Sequence, residues 1–524
     1  MPEIEITDLN GVGLIRDQEG NYLPPEALTY AMNMRAVADG VERIGGQAPV
    51  FGTPNVPPHF ALPIQSTDQT YWLYVDLTSA HVYSAGSHTN ITRGSGAYNA
   101  GTTRNWNGTL LGGVPILNNG VDVPQWWPAL SPATPLDDLP NWDSDIRAKV
   151  IRAFGPHLFA LNLTIEGEPF PHHVRWSHPA DPGSVPISWD VTDETKDAGE
   201  VMLPDVNAGV IVDGLPLRGN FYIYKEASTW RVTFVGGAFI FKFDTAFETS
   251  GALAPRCMTI TGDGQRHVVA SQDDIIVHNG TVMDSVLDRR YKRYLANNLD
   301  SDNYKNSFMF TNPFRDEAVF CYPEPGFTQP NRALIWNYKR GEKGVLTEAD
   351  VNFRNATIGQ IETADPEAWD DGSDTWDDPT GPWSLLSRRR VVVCGTDDAK
   401  FFSYDDEGTQ TNDGNPFTGR IQRENIALVG RKRNGEWIVD FEKRKMFRRL
   451  WIRATGGPFN VRVGFTEQMN GTTSWTTTQT FNPATQHWID VFGSGRALGI
   501  EFSADVPFRI LSYKFDGELI GDGM

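Results

Sequence analysis

Three observations predict a mainly β fold. Hydrophobic residues make up 40% of the 524 positions, ample for a core, and they fall in short apolar or alternating runs. One plan recurs along the chain: a short strand, a tight polar turn, then a second strand with aromatic and β-branched residues. TYWLYVDLTSAHVYS (70–84), NFYIYKEASTWRVTFV (220–235) and RRVVVCGTDDAKFFSYDDEG (389–408) all follow it. Helical periodicity is scarce. Hairpin units repeated in this way predict a β-propeller-like core of about six or seven divergent blades, with a sandwich array as the competing arrangement.

The units fall near 70–94, 104–127, 150–178, 217–236, 266–287, 306–347 and 388–410. Their corners carry turn chemistry: Asn107-Gly108, Asp273-Asp274, Asn279-Gly280 and Asp397-Asp398. Trp-Asp dipeptides stand at 142, 189, 369 and 376, without the Gly-His partner of a WD repeat, which excludes that repeat family. Two helices are expected. PPEALTYAMNMR (24–35) has Pro in a first turn. SVLDRRYKRYLANNL (285–299) has Ser285 and Asp288 at capping spacing and Leu287, Tyr291, Leu295 and Leu299 on one face.

From about 418 the texture changes to a basic stretch followed by alternating strands, a C-terminal β-sandwich-like module. The chain therefore divides into an N-terminal arm with a strand leading into the core (1–60), a propeller-like core (61–417) and the C-terminal module (418–524). Segments 124–149 and 350–387 lack periodicity and are expected to be irregular arms.

The formal net charge is −20, which argues against wrapping nucleic acid tightly, because affinity there comes from neutralising phosphates with Lys and Arg. Three separated cysteines, Cys257, Cys321 and Cys394, suit small core residues in a reducing compartment. No apolar run approaches the length of a membrane span, and MPEIEITDLNGVG does not look like a secretory signal.

The residues that suggest catalysis lack the spacing that catalysis needs. His172, His173, His178 and Asp181 suggest metal ligands, but adjacent histidines in a strand point to opposite faces. Asp137-Asp138 and Asp405-Asp406 are sequence neighbours in turns rather than an acid and base held across a cleft. Neither a phosphate-binding P-loop nor a nucleophile elbow is present. No catalytic, cofactor-binding or metal residue is expected, and the chain is not read as an enzyme.

Two features point instead to docking. Trp369, Trp376 and Trp383 stand seven apart in WDDGSDTWDDPTGPW, where Gly and Pro exclude a helix seam and the acids lack the order of a calcium loop. Indoles in such an arm must lie against this subunit or a neighbour. Lys443, Arg444, Lys445, Arg448 and Arg449 place five cations in seven positions, which suits an acidic partner face. Two further clusters, Arg289 to Arg293 and Arg388 to Arg390, read as ordinary surface charge.

Four blocks carry a resemblance: NMRAVADGVERIGGQAPV (33–50), VRWSHPADPGSVPISWD (174–190), GEVMLPDVNAGVIVDGLPLRGNFYIYKEASTWRVTFVGG (199–237) and the spaced Trp-Asp arm. Together they resemble the nozzle or tail-hub (head-to-tail stabilisation) proteins of short-tailed bacteriophages, over most of residues 1–410. The resemblance implies a virion tail protein assembled in the host cytoplasm, as a ring of about six copies around the tail axis. Such a ring sits below the adaptor or portal, extends the DNA ejection channel and supports fibres or spikes. DNA would slide through without tight binding, which an acidic subunit favours. The alternative is a carbohydrate-binding or carbohydrate-active propeller that stacks sugars on exposed Trp.

Overall fold

The computed structural model describes residues 4–66, 69–101, 106–237, 239–364, 386–432, 436–469 and 471–520. Seven antiparallel four-stranded meanders follow one another as blades. Blades 1 to 6 span 60–90, 107–138, 146–202, 211–247, 258–285 and 308–350. Blade 7 takes Asn355–Ala364, Leu386–Gly395 and Phe401–Asp406, and its fourth strand is Gly46–Val50 from near the N-terminus. The first strand of each blade touches the first strand of the next, and that of blade 7 touches that of blade 1. This closed ring is a β-propeller, and each of the seven predicted hairpin units falls in one blade.

Closure is visible in the register. Phe401 pairs with Val50, Phe402 with Pro49 and Ser403 with Ala48. Pro49 is tolerated because this outermost strand needs no further ladder donor on its free side. At the seam between blades 7 and 1, the Trp72 Nε1–H donates to the Gln360 carbonyl at 2.8 Å. Gly359 lets the indole approach: a Cβ there would lie 2.4 Å from Trp72.

The second module is a β-sandwich built from both ends of the chain. One sheet runs Trp488–Gly495, Arg444–Gly456, Phe508–Ile520, Gly40–Arg43, Met34–Val37, with Ile4–Ile6 also on Phe508–Ile520. The other contains Tyr30–Met32, Gly419–Ile426, Ala497–Ala504 and Phe459–Thr466. Phe447, Leu450, Phe459, Phe502 and Phe515 fill the space between them. Tyr30–Met32 also pairs with Val345–Asp350, so the sandwich continues the sheet of blade 6. The expected arm at 1–60 is thus absent: its described part supplies strands to the sandwich and then the closing strand of the propeller. Strands of two to five residues there are too short to show a period.

Other expectations are corrected. Segment 124–149 is not an arm, because Gln125–Trp126 and Asp137–Asp138 are the outer strands of blade 2 and Ile146–Phe154 opens blade 3. Trp127 is buried there, donating to the Thr134 carbonyl at 2.9 Å. Within 350–387, Asn355–Ala364 and Leu386–Gly395 are paired blade strands. Residues 24–35 form short strands rather than a helix.

The other predicted helix is reduced to Lys292–Asn298. Ser285 Oγ does accept the Asp288 N–H at 3.0 Å, but Arg289 takes a left-handed φ of 57° and breaks the turn. Its face survives, with Leu287, Tyr291 and Leu295 buried. Asn107-Gly108 is no corner either: Asn107 opens the first strand of blade 2.

Candidate functional site

The propeller axis is a packed polar seam rather than an open tube. Asp213, on the first strand of blade 4, is buried and meets Arg152 of blade 3 at 2.9 Å. The Arg152 guanidinium also donates to the carbonyls of Gly214 at 3.2 Å and of Gly108, in blade 2, at 3.4 Å. The Arg256 N–H, leading into blade 5, donates to Asp213 at 3.1 Å. One ion pair therefore ties four consecutive blades at the axis. The cavity left among residues of all seven first strands is about 250 Å³, room for fewer than about ten waters. A second cavity, a mouth of about 700 Å³ that shares Arg256 with the first, has a wall that includes Trp106, Lys149, Asn303, Tyr304, Lys305 and Gln329.

Polar staples recur between blades. The Asn107 amide donates to the Lys149 carbonyl and accepts the Ile151 N–H, both at 2.9 Å, copying a strand pair across the gap from blade 2 to blade 3. Between blades 4 and 5 the buried Tyr224 hydroxyl lies 2.7 Å from both His267 Nδ1 and His278 Nε2. His267 Nε2 faces the Pro216 carbonyl at 3.1 Å and so carries a proton, leaving Nδ1 to accept from Tyr224. His278 Nδ1 accepts the Gly280 N–H at 3.1 Å, so its Nε2–H donates to Tyr224. Both rings are satisfied as neutral imidazoles, and burial lowers their pKa values to about 4 and about 3.

A second cluster joins the modules. Arg35 of the sandwich is buried between Glu317 of blade 6, at 3.3 Å, and Asp405 of blade 7. Asp405 also accepts the Gly45 N–H at 2.8 Å. Burial pushes the Glu317 carboxyl up to about 7, against the pull of Arg35.

The predicted docking residues fare unequally. Trp369, Trp376 and Trp383 lie outside the described residues, between the paired strand ends Ala364 and Leu386. Lys445 points inward: its ammonium is buried and donates to the carbonyls of Asp440, Lys443 and Arg496, and burial lowers its pKa to about 8. It is a structural cation and leaves the docking set, because alternation along a strand turns it to the core face. Lys443, Arg444, Arg448 and Arg449 are exposed. Arg444 meets Glu467 at 2.7 Å and Arg449 meets Asp490 at 3.1 Å, with Arg448 beside Glu518.

The sequence reading missed the surroundings of Arg449. Its guanidinium lies 5.4 Å from the Trp488 ring, which packs 4.8 Å from Trp451, and Phe492 is 76% exposed on the same strand as Trp488. The alternation WIDVF was the available signal. His172 and His173 sit at adjacent positions of one strand of blade 3, and His178 accepts the Asp197 N–H at 3.0 Å in the loop beyond. Among the described residues no group of three or more His, Cys, Asp or Glu side chains could hold a metal ion. No helix of the described residues is long and apolar enough to cross a membrane.

No protein-family model matches the chain, and no curated protein is similar to it in sequence. Solved structures are similar in fold. PorZ, a surface component of the type-IX secretion system of Porphyromonas gingivalis, is 8% identical with a TM-score of 0.34 over 73% of this chain and 42% of its own. The extracellular domain of BT4673 from B. thetaiotaomicron is 9% identical, TM-score 0.39, over 90% and 59%. Hsv2 of Kluyveromyces lactis is 11% identical, TM-score 0.32, over 55% and 83%. The chain spans less than half the length of PorZ. These β-propeller structures agree with the architecture and carry no argument about activity.

Proposed function

We propose that this chain is a structural subunit of the tail of a short-tailed bacteriophage. It forms a nozzle or hub ring that extends the DNA ejection channel below the adaptor or portal and supports tail appendages. The observation that carries the reading is the filled axis. The Arg152–Asp213 pair is spent on tying blades together, and about 250 Å³ cannot admit a duplex. A DNA path must then lie between copies, which a ring of subunits supplies. A net charge of −20 per copy keeps such a path from holding DNA. The resembling block 33–50 supports the same reading, since it spans the strands that join the sandwich to the closing strand of the propeller.

The test is a sixfold-averaged cryo-EM map of the particle that carries the chain. Copies arranged around an axial hole wide enough for a duplex are expected; a chain found off the axis, or missing from the tail, overturns the proposal. The mouth of about 700 Å³, walled by Trp106, Tyr304 and amide side chains, favours the alternative of a sugar-binding propeller. Glycan-array binding lost on Tyr304→Ala would promote that alternative.

A further inference from the structure

Exposed charge and apolar surface are distributed unevenly over the two modules. Residues 419–520 carry 15 Lys and Arg against 10 Asp and Glu, in a chain whose net charge is −20. The outer face of the sandwich sheet presents Arg448, Arg449, Trp451, Trp488 and Phe492. Arg448 and Arg449 are about half exposed, so their ion pairs are worth little, and each guanidinium keeps donors free for a partner. Arginine and aromatic residues together are what the energetic centres of protein interfaces are made of.

The opposite character gathers on blade 3. The connection between its last two strands, with the flanking Glu200, carries Asp181, Asp190, Asp193, Glu194 and Asp197 against a single cation, Lys196. Threonine hydroxyl and backbone N–H groups at 192 and 195 hold the Asp190 and Asp193 carboxyls below the usual range, so both are fully charged at neutral pH. Among these acids Ile187 is 60% exposed and Met202 51% exposed. The sandwich is attached at blade 6, and in a ring of seven blades blade 3 is as far from blade 6 as a blade can be. The basic aromatic face and the acidic apolar rim therefore belong to different parts of one subunit, the second three blades from where the sandwich is attached.

We propose that the sandwich face around Arg448, Arg449, Trp488 and Phe492 docks onto the blade 3 rim of a second copy of this chain. Two different, complementary patches on one subunit make a heterologous contact, which closes into a ring when the rotation allows. The inference rests on the ring reading above and names its subunit contact.

The test uses charge reversal in the full chain, read by sedimentation at high protein concentration in low salt. The parent chain self-associates. Arg448→Glu with Arg449→Glu weakens self-association by more than about tenfold, and so does Glu194→Lys with Glu200→Lys. Mixing the two variants restores it, because each then offers the face that the other lacks. Unchanged melting temperatures of both variants exclude misfolding as the cause. Failure of the mixture to recover, indifference of both variants, or a parent chain that stays monomeric overturns the docking proposal. The cryo-EM map decides the tail assignment separately: an axial ring held by other surfaces sinks this contact alone, and a particle without the ring sinks the tail reading alone.

Discussion

Glu317 and the pair His267 and His278 are buried groups that couple stability to pH in opposite senses. Burial raises Glu317 from the ordinary glutamate range to about 7, so between about 4.5 and 7 the folded chain holds a proton that the unfolded chain has released. Its contribution is therefore present at low pH and is lost as pH rises through 7. The histidines are depressed to about 4 and about 3, so the unfolded chain binds protons that the folded one refuses, and stability is lost as pH falls below about 6.5. Two groups outweigh one, and the melting temperature is expected to fall on the acid side. Glu317→Gln removes the opposing slope between about pH 4.5 and 7, roughly 3 kcal/mol in all, so the acid-side fall becomes steeper. Melting curves across pH check it, and an acid-side slope unchanged by the substitution would remove Glu317 as a source of the pH dependence. None of these partners was legible in the sequence. Tyr224 and His278 are 54 residues apart, and no local pattern encodes a bond across two blades. Asn107-Gly108 misled for a related reason: its amide satisfies the backbone of the next blade instead of its own turn.

At the scale of elements, hairpins were readable because the second strand of each blade is four to ten residues long with an apolar run, as in Thr70–Val75 and His157–Ile165. Outer strands of two residues in blade 2 carry no period, which is why 124–149 read as a loop. The hairpins narrowed the blade count to about six or seven; the seventh blade's closure was not legible, because Gly46–Val50 lies more than 350 residues from its partner Phe401–Asp406. The seam between blades 7 and 1 depends on the absence of a side chain at Gly359. Gly359→Val is expected to cost about 1–3 kcal/mol or more, since neither Trp72 nor Pro63 can yield without opening the seam. Chemical denaturation measures it, with Gly214→Val, where Phe221 of the same blade is crowded instead, as a comparison inside one blade. Equal loss in the two would show that the seam is no more sensitive than packing within a blade.

At the scale of the molecule, the docking residues divide as burial divides them. A run of five cations in sequence is split by strand alternation, so that Lys445 anchors three carbonyls inside while Arg448 and Arg449 face out beside Trp488. Composition suggested an acidic partner; only the fold gathers the acids of the 177–198 connection on blade 3, three blades from the attachment of the basic sandwich. Salt should therefore weaken self-association of the parent chain, while a contact dominated by Trp488 and Phe492 would be indifferent to it. Sedimentation at increasing ionic strength separates the two.

The strand Gly46–Val50 leaves the ribosome more than 350 residues before the strand that receives it, Phe401–Asp406. Residues 4–43 wait longer still, for Gly419–Ile426 and Phe508–Ile520. Until residue 406 has emerged the growing array of blades has no closing partner, and its sheet edges stand open to other nascent chains. Under the proposed ring assembly, sibling chains made together would be exposed to mispairing until that strand is in place. Chains halted before residue 400 are expected to aggregate, whereas released full-length chains become protease-resistant in a single late step. Pulse proteolysis of arrested ribosome complexes would time that step.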